Sequence, residues 1–317
     1  MLHTSTRGRS RGAAVALVVL LLSPVAAPAA RISPQRGPVS LYVTVEDRDG
    51  FVHGLGPGNF RLFEDGHAMP FRLEAPESPA HVVILAEFSR LSAPYLLAIR
   101  RAIYEFPSIA PEGHWYALAT FDRQLEVRVD FTRQRGRIPV GYFDLGHPAW
   151  RELAAYDAVY ELIEKLERLP GRRVLILIGS GVDTDSTRTF AEVQRKTETS
   201  DVIVYGIGTS GVLRTRQDPF SAAPARMRLM QGDAFLQKLA ERSGGYAWFP
   251  GTDDDFPAAM RNVMLAIESQ YRLVYQPREE AVREFRRVRV EAFQIVNDRR
   301  RNPKVRVRSG WRFPDPG

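Results

Sequence analysis

The chain reads as an α/β protein: a doubly wound, mostly parallel sheet joined to a small β unit made from the N- and C-terminal segments. Three observations predict this. From residue 81 onward, short aliphatic runs alternate with helical stripes, the rhythm of parallel strands covered on both faces. Before residue 80 and after residue 270 the rhythm is that of strands alone. Each flanking group is also too small to bury a face by itself, so each needs a partner.

In chain order, a Pro/Gly-punctuated linker at 30–38 leads into an N-terminal β segment at 39–79. There Val39-Ser-Leu-Tyr-Val-Thr-Val45 reads as a strand turned by Asp47-Arg-Asp-Gly50. Phe60-Arg-Leu-Phe63 and the run from Met69 to Glu74 flank Asp65-Gly66, a hairpin signal. The α/β region spans 80–270, with strands over 81–87, 114–120, 173–178, 202–207 and 245–249. Leu125 to Val129 alternates apolar with charged residues, which suits an exposed antiparallel edge. Helices fall at 93–106, 153–168, 188–199, 233–242 and 254–269. In the second of these, Leu153, Tyr156, Val159, Tyr160, Ile163 and Leu166 share one stripe. Residues 131–150 and 210–230 read as irregular, the latter as an excursion carrying Arg214, Arg216, Arg226 and Arg228. The C-terminal β segment, 271–317, returns to strands at Tyr271 to Tyr275, Phe285 to Phe293 and Lys304 to Arg308.

Residues 1–29 carry Arg7, Arg9 and Arg11, then the apolar run Ala13 to Leu22, then Ala27-Pro28-Ala29. This is the three-part layout of a secretory signal cleaved near Ala29 or Ala30. The apolar run is short for a membrane span, which needs about 20 residues; retention as an anchor is the alternative. The expectation is export to the periplasm or the exterior, with no transmembrane span in the mature chain. The absence of cysteine excludes a disulfide scaffold, a thiol enzyme and lipoprotein acylation.

Net charge is +7, but loss of the leader leaves 41 basic against 37 acidic side chains, too small an excess to argue for nucleic acid. The basic residues crowd the end: Arg283, Arg286, Arg287, Arg289, Arg299, Arg300, Arg301, Lys304, Arg306, Arg308 and Arg312. They suit either the solvent faces of alternating strands or a patch for an acidic partner or anionic envelope surface.

Enzyme signatures fail on context. Gly206-Ile-Gly-Thr-Ser-Gly211 follows a strand, yet Val212 to Pro224 shows no helical stripe to hold a pyrophosphate, and no acidic residue ends a second strand about 20 residues on. Gly179-Ser180-Gly181 lacks the glycine two before the serine that a hydrolase elbow requires. The histidines lack metal spacing, and Asp253, Asp254 and Asp255 precede a helical pattern whose dipole they complement. No catalytic residue and no cofactor are expected.

The polar residues that remain gather at strand ends. His81-Val-Val-Ile-Leu-Ala-Glu-Phe-Ser-Arg-Leu-Ser92 carries Glu87, Ser89 and Ser92 to the start of a helix, the geometry of a site at the carboxyl end of a parallel sheet. Ser180 and Asp183 follow the strand at 173–178.

Several separated pieces match one family: Val43-Thr-Val-Glu-Asp-Arg-Asp-Gly50, Asn59-Phe-Arg-Leu-Phe-Glu-Asp-Gly66, Tyr156-Asp157-Ala158, Val204-Tyr-Gly-Ile-Gly208, Leu239 to Gly245, Ser269-Gln-Tyr-Arg-Leu-Val-Tyr275 and Lys304-Val-Arg-Val-Arg-Ser-Gly-Trp311. The central region resembles the von Willebrand factor type A (vWA) domain, and residues 39–313 are similar to bacterial VWFA-related proteins of the Acidobacteria type. The resemblance implies a Rossmann-like doubly wound domain whose upper rim binds a partner, often through a divalent cation. The family site uses an Asp-x-Ser-x-Ser loop, a threonine and an aspartate, because a hard cation wants about six oxygen ligands.

This chain departs from that set. Glu87 stands at the aspartate position, Ser89 is kept, Leu91 takes the second serine position with Ser92 displaced by one, Leu153 stands at the threonine position, and Gly179-Ser180-Gly181 replaces the third loop, with a carboxylate only at Asp183. The expectation is a degenerate metal site that holds no metal. Glu87, Ser89, Ser92, Ser180 and Asp183 then form either a partner-binding rim, a looser Ca²⁺ cradle, or a set of helix caps and strand-end acceptors. Phe131, Tyr142, Phe143 and Trp150 in the irregular stretch are candidate anchors for a protein partner, or local packing.

The expected function is an exported, non-catalytic protein-interaction module working without metal. The alternatives are a structural component of an envelope assembly that uses the basic C-terminal strands, and a Ca²⁺-dependent adhesion module.

Overall fold

The computed structural model describes residues 37–212, 223–278, 285–296 and 298–312. Residues 1–29, which the sequence predicts as a leader, and Arg214, Arg216 and Arg283 lie outside the described residues. Five strands come first: β1 (Val39–Asp47), β2 (Gly50–Phe51), β3 (Phe60–Glu64), β4 (His67–Met69) and β5 (Arg72–Glu74). The α/β part follows as β6 (His81–Glu87), α1 (Leu96–Ile109), β7 (Trp115–Phe121), β8 (Leu125–Thr132), α2 (Arg137–Phe143), α3 (Ala155–Glu167), β9 (Arg173–Gly179), α4 (Phe190–Thr199), β10 (Ile203–Gly208), α5 (Ala223–Ser243), β11 (Ala247–Trp248) and α6 (Phe256–Glu268). Then come β12 (Gln270–Tyr275), β13 (Arg286–Ala292), β14 (Gln294–Val296), β15 (Arg299–Arg301), β16 (Lys304–Arg306) and β17 (Gly310–Trp311).

The central sheet runs β11-β10-β9-β6-β7-β8, parallel throughout except for the antiparallel edge β8. Side chains alternate across a strand, and β6 is apolar on both sides. Val82, Ile84 and Ala86 enter one buried layer with α1, α2 and α6. Val83 and Leu85 enter the opposite layer with α3, α4 and α5. This is the doubly wound α/β class that the strand–helix rhythm predicts.

A third core belongs to the terminal strands. β12 pairs antiparallel with β1, Val39 opposite Tyr275, and β13 pairs with β3, Val288 opposite Glu64. Leu41, Val43, Leu62, Leu273, Val290 and Trp311 are buried between these sheets. Asp65 and Gly66, both with positive φ (47° and 84°), close the β3–β4 hairpin as the Asp-Gly pair demands. Behind it, Trp311 donates its indole N–H to Tyr275 (2.7 Å), and Tyr275 donates to the buried Glu64 (2.7 Å).

Two irregular stretches contain helices. α2 lies within 131–150, where Pro139 and Gly141 look like loop signals. Pro139 sits in the first turn, where its missing N–H is harmless, and a Cβ on Gly141 would come 2.3 Å from Val129 Cγ2, so the helix needs glycine to press on β8. α5 begins at Ala223, ten residues before the helix expected at 233–242, with Pro224 in its first turn. Helix α1 starts at Leu96 rather than 93, after a 3₁₀ turn over Arg90–Tyr95 that contains Pro94. Among the described residues no helix is long and apolar enough to cross a membrane.

Candidate functional site

The sheet's chain path creates a switch point. Strands β6 and β9 are neighbours, yet the helix after β6 packs on one face and the helix after β9 on the other. The crevice that opens between the carboxyl ends of such strands is where open α/β sheets bind ligands. Here that place is filled by the protein itself.

Glu87, the last residue of β6, is fully enclosed. One carboxylate oxygen accepts the Tyr95 hydroxyl at 2.5 Å. The other accepts both the backbone N–H (2.6 Å) and the hydroxyl (2.8 Å) of Ser180, just past β9. A Cβ on Gly179 would stand 2.7 Å from that second oxygen, so glycine lets the carboxylate cross to the neighbouring strand. Burial pushes the Glu87 carboxyl upward, against the Tyr95 and Ser180 bonds that favour ionisation. Burial and the neighbouring Glu87 raise the Tyr95 phenol in turn.

Ser89 and Ser92 close on each other. Ser92 Oγ accepts the Ser89 N–H (2.7 Å) and donates to the Ser89 carbonyl (2.5 Å), and the Ser92 N–H reaches Ser89 Oγ at 3.3 Å. These bonds fix the 3₁₀ turn that places Tyr95. Asp183 turns the other way: its Oδ1 accepts the Tyr156 N–H (3.1 Å) and the Ser186 hydroxyl (2.5 Å), satisfying the start of α3. Leu153 is buried, and its N–H is held by Thr184 Oγ1 at 2.8 Å. The sequence-predicted donors thus divide between the Glu87–Ser180 bridge, the Ser89–Ser92 turn and the α3 terminus.

This set does not fit a divalent cation. Its one central carboxylate is enclosed, spends both oxygens on protein donors and is shifted toward the neutral acid, whereas a hard cation needs charged oxygens and an approach. Among the described residues no group of three or more His, Asp or Glu side chains is placed to hold a metal ion.

Above the sealed crevice the rim is open. The Trp150 carbonyl accepts the Arg90 N–H (2.6 Å), tying residue 150 to the loop leaving β6, and its side chain is 49% exposed with the Arg123 guanidinium 5.0 Å from the ring centroid. Phe143 is 42% exposed and meets the exposed Tyr104 edge-on at 6.2 Å. The other two aromatic candidates belong elsewhere. Tyr142 is buried and packs on Phe88 at 6.0 Å, a core residue. Phe131 meets His81 edge-on at 5.2 Å, at the amino end of β6 and so at the pole opposite the rim.

Two participants escape sequence reasoning. Tyr95 lies eight residues beyond Glu87 with no local pattern to join them. Gly232 stands one residue before the helix expected at 233–242 but lies inside α5, where a Cβ on it would come 2.2 Å from the Ser180 carbonyl. The buried Thr209, after β10, donates its N–H to the Gly179 carbonyl (3.1 Å) and completes the floor.

No protein-family model matches the chain, and no curated protein matches it in sequence. Among solved structures it has distant likenesses. One is a von Willebrand factor type A protein from Catenulispora acidiphila, with TM-score 0.46 and 11% identity over 89% of this chain and 75% of that one. Another is an aerotolerance-related membrane protein from Bacteroides fragilis carrying multiple mutations to serines, with TM-score 0.46 and 14% identity over 60% of this chain and 98% of that one. A third is the ArnB paralog VWA2 from Sulfolobus acidocaldarius, with TM-score 0.42 and 13% identity over 88% and 77%.

Proposed function

We propose that this chain is an exported, non-catalytic protein-interaction module of the vWA type that engages its partner through the upper rim without a metal ion. The reading rests on the Glu87–Ser180 bridge. With the switch-point crevice closed by the protein's own carboxylate, a partner meets the exposed rim side chains, Trp150 foremost, rather than a bound cation. A half-exposed tryptophan held in place by the backbone bond at Arg90 suits an anchor, because tryptophan supplies large contact area at small entropy loss. The leader-like residues 1–29 support export.

The test is capture of partners from a native envelope extract by the full chain, with and without chelator. Capture that is equal in both conditions supports the reading. Capture that requires Mg²⁺, Mn²⁺ or Ca²⁺, matched by tight uptake of the same ion in calorimetric titration, refutes it.

A further inference from the structure

We propose that the β14–β15 hairpin is a cationic finger that docks on an anionic phospholipid surface. Apart from Arg287, which is exposed on β13, the fold sorts the described C-terminal basic residues into two groups. Arg286 is buried beside Glu64 and Asp65 (3.6 and 3.4 Å). Arg308 is buried and donates to the Glu198 and Gly310 carbonyls. Arg306 pairs with Glu46 at 2.9 Å and covers the Tyr246 ring. Arg289 pairs with Glu291 over Phe63, and Arg312 with Glu198. Each of these side chains is matched by a carboxylate or carbonyl of the fold itself.

Arg299, Arg300 and Arg301 form the second group. All three are exposed along β15, and among the described residues no carboxylate lies within ion-pair distance of them or of the neighbouring exposed Lys304; Asp47 feels Arg301 only from farther away. Residues 294–304 carry four basic side chains against one acidic, Asp298. Uncompensated charge concentrated on one small element calls for an anionic partner.

The hairpin's form selects which kind. β14 and β15 pair with each other and with neither large sheet; Gln294 and Val296 are half-buried, with Gln294 donating to Asp47 at 3.2 Å, while Ile295 and the three arginines are exposed. Arg300 stands opposite Ile295, and Arg299 and Arg301 stand opposite Val296 and Gln294, which puts arginines on both faces. Ile295 is 70% exposed between them. An acidic peptide would cover one face, whereas lipid headgroups surround an inserted tip on every side, take the isoleucine into the interface and accept arginines whose stems lie along it. The base is firm: the Phe293 N–H and the Asn59 side-chain amide each bond the other residue's carbonyl at 2.9 Å, and the Arg300 guanidinium covers the Phe293 ring at 4.3 Å.

The test uses the full chain, the triple variant Arg299→Gln, Arg300→Gln, Arg301→Gln, and Ile295→Ser, each sedimented with vesicles of phosphatidylcholine alone or mixed with phosphatidylglycerol. Arg7, Arg9 and Arg11 are common to all three, so any pull they exert cancels. Each arginine near an anionic surface is worth roughly fivefold in affinity. The triple variant is therefore expected to lose roughly a hundredfold on mixed vesicles, and Ile295→Ser several-fold, with binding of the native chain falling as salt rises. Equal binding of native and triple-variant chains to mixed vesicles overturns the proposal. So does native binding to soluble polyglutamate through the same arginines with no binding to vesicles, which would make the partner an acidic polypeptide.

Discussion

Gly232, in the middle of α5, lies so close to Ser180 that a Cβ on it would come 2.2 Å from the Ser180 carbonyl oxygen and 3.0 Å from the Gly181 carbonyl carbon. The contact is reciprocal, since a Cβ on Gly181, which also has positive φ, would come 2.3 Å from the Gly232 carbonyl. The loop that carries the Ser180 hydrogen bonds to Glu87 is thus pressed between β6 and α5.

Gly232→Ala is expected to destabilise. Helix propensity alone favours alanine by about 1 kcal/mol, but the neighbour is backbone with no flexible end to yield, and overpacking of this kind costs roughly 1–3 kcal/mol. The expected outcome is a lower thermal midpoint, read by circular dichroism. A midpoint that rises would mean that the loop and helix separate easily.

The pH dependence of stability has a sign fixed by Glu87. Burial raises its carboxyl above the ordinary 4.5, so below 4.5 the acid is neutral in both folded and unfolded chains and its full contribution is present. As pH rises, the unfolded chain releases its proton first, and the contribution is lost as pH passes through the raised folded value. Glu87→Gln does not titrate. The stability of the native chain relative to Glu87→Gln should therefore fall between pH 4 and pH 8 in urea unfolding, and a difference that is flat across that range would show that the bonds from Tyr95 and Ser180 outweigh burial.

What was legible in the sequence depended on whether one short stretch carried the whole signal. β6 was readable because residues 82–86 are apolar on both faces and the strand ends at a carboxylate. Asp65-Gly66 was readable because a two-residue hairpin loop demands positive φ. α5 was obscured: Met227 and Met230 are 62% and 68% exposed, so its first turns show no buried stripe, and Pro224 stands at its start. Glu87, Ser180 and Tyr95 are joined only by the crossing from β6 to β9, which no local pattern encodes. Phe131 and Trp150 sat together in one aromatic stretch, yet β8 runs down the sheet and carries Phe131 to the far pole before the chain climbs back.

Arg308→Met is expected to be costly although it removes a charge. Burial pulls the guanidinium down to about 10, and its Nε and Nη2 bond the Gly310 and Glu198 carbonyls at 2.7 and 2.8 Å, latching the C-terminal segment to the end of α4. Removing the fork takes the side-chain donor from the buried Gly310 carbonyl and leaves the Glu198 carbonyl with the Arg312 N–H alone, a loss of about 1–3 kcal/mol. Lysine cannot reproduce a planar fork, so Arg308→Lys should recover only part of it. Urea unfolding midpoints decide the matter, and full recovery by lysine would show that charge alone suffices.

Trp150→Ala separates binding from folding at the rim. The side chain is half exposed and, among the described residues, its ring partner is Arg123, also exposed, so stability should change by no more than about 0.5 kcal/mol. An anchor tryptophan at an interface, by contrast, commonly carries 2 kcal/mol or more of binding, roughly thirtyfold in affinity. Phe131→Ala supplies the contrast, since it alters an aromatic of the same stretch at the opposite pole, where it packs on His81. Capture of the envelope partner should fall steeply for Trp150→Ala and hold for Phe131→Ala once each chain's folded fraction is matched. The reverse ranking would move the binding surface off the rim.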